Sequence, residues 1–245
     1  MLRGVLFDFN GTLARLSSCG VSHRVVFARH DLRQAATRWG DGWLVGPADG
    51  EVHETQSRSR ETYHRWELDR LRSRARACGV PDARIDPLVF DLDRETKAIT
   101  MEPYEDVVDA LVELRRRDVT IAVCSNWYWD LDEAIEQVGL AGMFAAVVTS
   151  AQAGMRKPDP RIYRHTLRAC GLQPDEALYV GDMWVPDVEG PRAIGMRAAH
   201  LLRPDRAAAE TPPLLRDGVW RVTDLPSVVG LVDELSCSAG PGRCG

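Results

Sequence analysis

Several features that would narrow the function of this 245-residue chain at once are missing from it. Its six cysteines, at positions 19, 78, 124, 170, 237 and 244, form no CxxC pair and stand at no spacing from a histidine that suggests zinc. Cys124 and Cys170 sit in apolar or helical runs and read as small core residues, so a reducing, cytoplasmic compartment is expected. No apolar run approaches the length that crosses a bilayer, and Arg3 with the brief apolar stretch before Asp8 is not a signal-peptide pattern. The formal charge of −5, with both signs interspersed, argues against nucleic acid or an anionic membrane as a partner. No internal repeat is present, which excludes a solenoid, and no exposed apolar stripe marks a subunit interface. What remains is an ordinary globular composition, 44% hydrophobic and 27% charged, enough for one large domain or a core with a smaller one.

The informative stretch comes first. The apolar run Gly4-Val5-Leu6-Phe7 delivers Asp8-Phe9-Asn10-Gly11-Thr12-Leu13. Such a run reads as a buried strand of a parallel sheet, which places Asp8 at the carboxyl end, where open α/β sheets hold their ligands. A carboxylate there can attack an electrophile while a Gly turn and a Thr hydroxyl hold a dianion beside it. The same residues also fit an ordinary turn that ends a strand.

From about Ala14 to Thr100 no buried-strand run is visible. Apolar spacing predicts a helix over 25–39 stopped by Gly40, and another between Glu54 and Cys78 closed by Gly79 and Pro81, so this region reads as a mostly helical insertion. Its arginines, 58, 60, 65, 70, 72, 74 and 76, point around the helix and are mixed with Glu and Asp, which favours a solvated, salt-bridged face over an anion site. His53 and His64 read as surface or core histidines rather than ligands. Trp39 and Trp43 flank a Gly40-Asp41-Gly42 turn and fit either packing or a pocket wall.

From Pro103 helices and strands alternate. Pro103 suits the first turn of a helix carrying Val107, Val108, Leu111 and Leu114, and a strand over 119–124 ends at Ser125-Asn126. A helix follows over 131–138, then a strand over 145–149. Lys157-Pro158-Asp159-Pro160 opens a helix to about Ala169, and a strand over 177–180 delivers Gly181-Asp182, with Asp187 five residues later. A helix ending near Gly195 and a strand over 197–201 complete the alternation. The pattern predicts an α/β fold, a parallel sheet with helices on both faces and right-handed crossovers. The core is expected over 1–14 and 100–235, the helical insertion over 15–99, and a disordered tail over 236–245.

In such a sheet the carboxyl ends of the strands share one edge, so Asp8, Asn10, Thr12, Ser125, Asn126, Lys157, Asp182 and Asp187 can converge. The chemistry they suggest is phosphoryl transfer through an acyl phosphate. Asp8 attacks phosphorus; Mg2+ held by Asp8, Asp182 and the further candidate Asp187 reduces the repulsion between anions; Ser125, Thr12 and Lys157 supply donors to the non-bridging oxygens. Lys157 also fits an ordinary surface lysine before a helix, although Lys-Pro-Asp-Pro is a constrained place for one.

The four motifs, Asp8-Phe9-Asn10-Gly11-Thr12-Leu13, Ser125, Lys157 and Gly181-Asp182 with Asp187, resemble those of the haloacid dehalogenase-like (HAD) hydrolase superfamily. The resemblance implies a Rossmann-like core and a mobile helical C1 cap inserted between the first two motifs. It also implies a phosphate site including Gly11 and Asn126, the Asn10 backbone carbonyl as a Mg2+ ligand, and a small phosphorylated metabolite as substrate. HAD phosphatases usually carry a second Asp where this chain has Asn10. An amide cannot donate and recover a proton at neutral pH, so turnover is expected to be slowed by loss of a contribution typically of about 10²- to 10⁴-fold. Two other readings stay open: a ligand-binding or scaffold protein with a residual site, and a metal-independent haloacid dehalogenase. Trp127, Tyr128 and Trp129 fit equally a wall facing the cap or the core of the next helix.

Overall fold

The computed structural model describes residues 1–40, 47–206 and 212–237. Trp43 and the tail from 238 lie outside the described residues, whereas Ser236 and Cys237 end a helix. The core is a six-stranded parallel sheet of β1 (Gly4–Phe7), β4 (Thr120–Ser125), β5 (Ala146–Thr149), β6 (Ala177–Gly181), β7 (Arg197–Leu201) and β8 (Val219–Val222), ordered β5-β4-β1-β6-β7-β8. β1 is buried at every position, as an unbroken apolar run requires when both faces are covered.

Alternation along the strands divides the core between the two faces. Val5, Phe7, Ile121, Val123, Leu178 and Val180 join one cluster with Leu111 of α5 (Val107–Arg116), Leu131 of α6 (Leu131–Gln137) and Leu225 of α8 (Leu225–Cys237). Leu6, Ala122, Cys124 and Tyr179 face the other way, against Ile162, Tyr163 and Leu167 of α7 (Pro160–Ala169). Phe7 pairs with Val123 on one side and Val180 on the other, which aligns the ends of the three central strands.

The segment between β1 and β4 holds α1 (His23–Arg29), α2 (Arg33–Trp39), α3 (Arg60–Ala77) and α4 (Asp82–Thr96). They bury their own cluster, built on Phe27, Trp39, Leu71, Ile85, Leu88 and Leu92. The helix expected over 25–39 is two helices, because Asp31 takes a positive φ of 53° between them. α3 starts at Arg60, capped by Ser59, whose hydroxyl accepts from the Thr62 amide at 3.2 Å. α4 follows Pro81 directly and carries Pro87 within it, so Pro81 opens a helix rather than only closing one.

Flanking these helices, β2 (Ala14–Ser18) and β3 (Thr100–Pro103) form an antiparallel pair where no strand run was visible. Only Ala14 of β2 and Met101 of β3 are buried, so no apolar signal marks them. Pro103 therefore closes a strand, and the helix expected from it begins at Val107. The helix expected after Asp187 is present but starts before it, as a π-helix over Val185–Glu189 that continues as α-helix over Gly190–Arg192.

Candidate active site

The aligned strand ends gather the polar residues. Asp8, next after β1, is anchored by its own amide donating to the Val180 carbonyl at 2.9 Å. Ser125, the last residue of β4, donates to Asp8 Oδ1 at 2.7 Å. The Lys157 ammonium, 2% exposed, donates to the same oxygen at 2.8 Å, to Asp187 Oδ1 at 2.6 Å and to the Tyr179 hydroxyl at 2.8 Å. Lys157 is thus a buried ion-paired cation and not a surface lysine before a helix.

Its backbone is held as firmly. Asn126 donates from its side-chain amide to the Lys157 carbonyl at 3.1 Å and accepts from the Lys157 amide at 2.8 Å, so both ends of its side chain grip that residue. Gly11, at φ 86°, makes the turn after Asp8 with its amide donating to the Ala14 carbonyl at 2.7 Å. Thr12 is fully buried, and its hydroxyl and the Asn10 side-chain oxygen are both buried without a hydrogen-bond partner among the described residues.

Carboxylate oxygens of Asp8, Asp182 and Asp187 lie within 4.8 Å of one another. These oxygens crowd together in a largely buried site beside the Lys157 ammonium. A hard divalent cation with a preference for oxygen donors suits such a cluster, so the donor set fits Mg2+. Asp187 is pushed up to about 6 by burial, against the pull of Lys157 and with the repulsion of Asp8. Its second oxygen also accepts the Met183 amide at 2.9 Å. Burial acts to lower the Lys157 pKa, but Asp187 and Asp8 outweigh it and the ammonium is raised above its ordinary value. Burial pushes the Tyr179 phenol well above its usual range, which keeps it a neutral donor to the Cys124 carbonyl.

A cavity of about 320 Å³ opens over Asp8, Asn10 and Asp182, between the sheet edge and the helical insertion. Trp127 and Tyr128 line it, and Trp127 also packs edge-on against the core Phe9 at 5.4 Å, so it serves both roles left open in the sequence. Of the two readings open for Trp39 the structure shows packing: it is buried against Phe27 and His23 inside the helical cluster and does not line the cavity. Several insertion arginines are salt-bridged along the surface, with Arg70 on Glu51 at 2.7 Å and Arg72 on Asp86 at 2.8 Å. His53 is buried against Trp66, and His64 pairs with Asp93 at 2.7 Å.

Two supports carried no legible signal. Tyr179 was visible only as one apolar residue of a strand. Arg203 donates to both oxygens of Asp106, at 2.9 and 2.7 Å, and to the Thr12 carbonyl at 2.8 Å, bracing the first turn from far along the chain.

Comparison with known proteins agrees with this geometry. Residues 2–195 match the profile of the haloacid dehalogenase-like hydrolases. The chain is 30% identical to haloacid dehalogenase-like hydrolase domain-containing protein 3 of Bos taurus, covering 98% of this chain and 96% of that one. It is 34% identical to a glyceraldehyde 3-phosphate phosphatase of Methanopyrus kandleri over 83% and 85% of the two chains. The fold matches the crystal structure of a 2-haloacid dehalogenase from Pseudomonas syringae with a TM-score of 0.60 at 21% identity, over 98% and 100% of the chains. The chain belongs to the haloacid dehalogenase-like hydrolase family.

Proposed function

We propose that the protein is a Mg2+-dependent phosphatase of small phosphorylated metabolites that works through an aspartyl-phosphate on Asp8. The observation that carries this reading is the Asp8 carboxylate, held through one oxygen by both Ser125 and Lys157 and flanked by two further carboxylates. The archaeal phosphatase relative supports it.

With Oδ1 engaged, Asp8 Oδ2 forms the bond to phosphorus as the bond to the leaving-group oxygen breaks. In this reading Ser125, Thr12 and Lys157 donate to the non-bridging oxygens. Asp8, Asp182, Asp187 and the Asn10 carbonyl would hold Mg2+, which would offset the repulsion between the carboxylate and the phosphate dianion. Asn126 acts through the backbone of Lys157. The leaving oxygen takes its proton from solvent or substrate, since Asn10 has none to give, and water then splits the acyl phosphate to restore Asp8. The helices over 15–99 act as the cap that covers the cavity and selects the leaving group.

Asn10 supports a second reading, a protein that binds phosphorylated ligands with little turnover. The three carboxylates weigh against a metal-independent dehalogenase. Rapid quenching of the protein with Mg2+ and an activated aryl phosphate, followed by peptide mass spectrometry, tests the mechanism. A phosphoryl group on Asp8 is expected, built up because Asn10 slows its hydrolysis. Turnover with no label on Asp8, or a label elsewhere, would overturn it.

A further inference from the structure

Three cations border the cavity over Asp8: Lys97, Arg156 and Lys157. Two are already engaged. Lys157 is held by Asp8, Asp187 and Tyr179. Lys97 is paired with Glu67 at 3.1 Å and Asp93 at 2.7 Å, and its ammonium sits 4.9 Å from the centre of the Tyr128 ring.

Arg156 differs from both. Its guanidinium donates no hydrogen bond to any described residue, and its Nε is buried without an acceptor. The carboxylate it faces is Asp49, 3.5 Å from Nε and about half exposed, which balances charge without a hydrogen bond and is free to swing away.

The backbone beneath this unused fork is fixed. The Arg156 amide donates to the Glu51 carbonyl at 3.0 Å, the His53 amide to the Gly154 carbonyl at 2.6 Å and the Gly50 amide to the Lys157 carbonyl at 3.2 Å. This pairing ties the insertion to the loop that carries Lys157. It presents Arg156 one residue from the group that handles the phosphoryl, in a cavity otherwise walled by Tyr63, Ile99, Trp127 and Tyr128. A planar guanidinium with idle donors in such a place matches a carboxylate or phosphate oxygen pair.

We propose that Arg156 is a specificity residue that holds a second anionic group, a carboxylate or a further phosphate, on the leaving group of the phosphoester, with Trp127 and Tyr128 covering the body of the molecule. The proposal rests on the reading of Asp8 as the phosphoryl site. It deepens that reading by naming the substrate class: small phosphomonoesters that carry a second anion.

Non-hydrolysable ligands separate the two. Calorimetry with Mg2+ compares benzylphosphonate, its 4-carboxy derivative and the matching 1,4-bisphosphonate. The native chain is expected to bind at least one doubly anionic ligand about tenfold or more tighter than benzylphosphonate, and the better of the two identifies the second group. Arg156→Gln collapses that ratio, Arg156→Lys keeps part of it, and Asp49→Asn widens it by removing the competing carboxylate. Asp49→Asn keeps the proposal testable if Arg156→Gln fails to fold. Equal binding of all three ligands by the native chain, or a ratio that survives Arg156→Gln, would overturn the Arg156 proposal and leave the Asp8 reading standing. Binding of none of them would overturn both.

Discussion

The Lys157 ammonium, almost wholly buried, lies 2.8 Å from Asp8 Oδ1. It joins the third motif to the first across 149 positions of sequence. The same ammonium holds Asp187, so one cation fixes the proposed nucleophile and one carboxylate of the proposed metal site together. Lys157→Met leaves these carboxylates buried without their cation. It is expected to lower kcat by about 10²- to 10³-fold, as loss of a preorganised donor does. It should also destabilise the fold by about 3–5 kcal/mol, moderated where Asp187 takes up a proton. Steady-state kinetics and urea unfolding read the two effects separately.

Gly181 closes β6 against the Asp187 side chain, and a Cβ there would meet that carboxyl group within van der Waals contact. Gly181→Ala is therefore expected to push Asp187 out of place while the sheet survives. The signature is a shift of the Mg2+ activation curve to higher concentration, with near-native circular dichroism.

Asn10 stands at the cavity edge, its side-chain oxygen buried and without a partner among the described residues, so a carboxyl group there breaks no bond that this oxygen makes to them. Asn10→Asp is expected to raise turnover of alkyl phosphates by up to about 10²- to 10⁴-fold. Activated aryl phosphates, whose leaving groups need little protonation, should gain much less in the first step. Comparing both substrate types with native and variant protein checks this.

His23 and His53 are both buried in the helical insertion, and burial lowers the pKa of each below its usual value. The unfolded chain therefore takes up protons near pH 6.5 that the folded chain refuses. The stability these groups contribute is whole above about pH 6.5 and is lost as pH falls toward their folded values. The thermal midpoint is expected to drop between pH 7.5 and 5.5, with a shallower slope in the His23→Gln/His53→Gln protein.

Residues that announce themselves locally explain how much was readable beforehand. β1, β4 and β6 are short apolar runs ending in polar residues, and a parallel sheet brings such ends together whatever the loops do. β2 and β3 have no such run because only Ala14 and Met101 of this two-stranded pair are buried. The split at Asp31 and the continuation through Pro87 lie beside Phe27 and Leu88, both buried in the insertion's own cluster, a tertiary context that local propensity does not encode. Tyr179 and Arg203 were missed for a related reason: each acts through partners distant in sequence, and neither stands in a recognisable pattern.

Phosphate release from an activated aryl phosphate by native protein and Asp8→Asn, each with Mg2+ and with chelator, tests the central claim most directly. Release that requires Mg2+ and vanishes in a folded Asp8→Asn protein is the predicted result. Equal release by both proteins, or release indifferent to the metal, would contradict it.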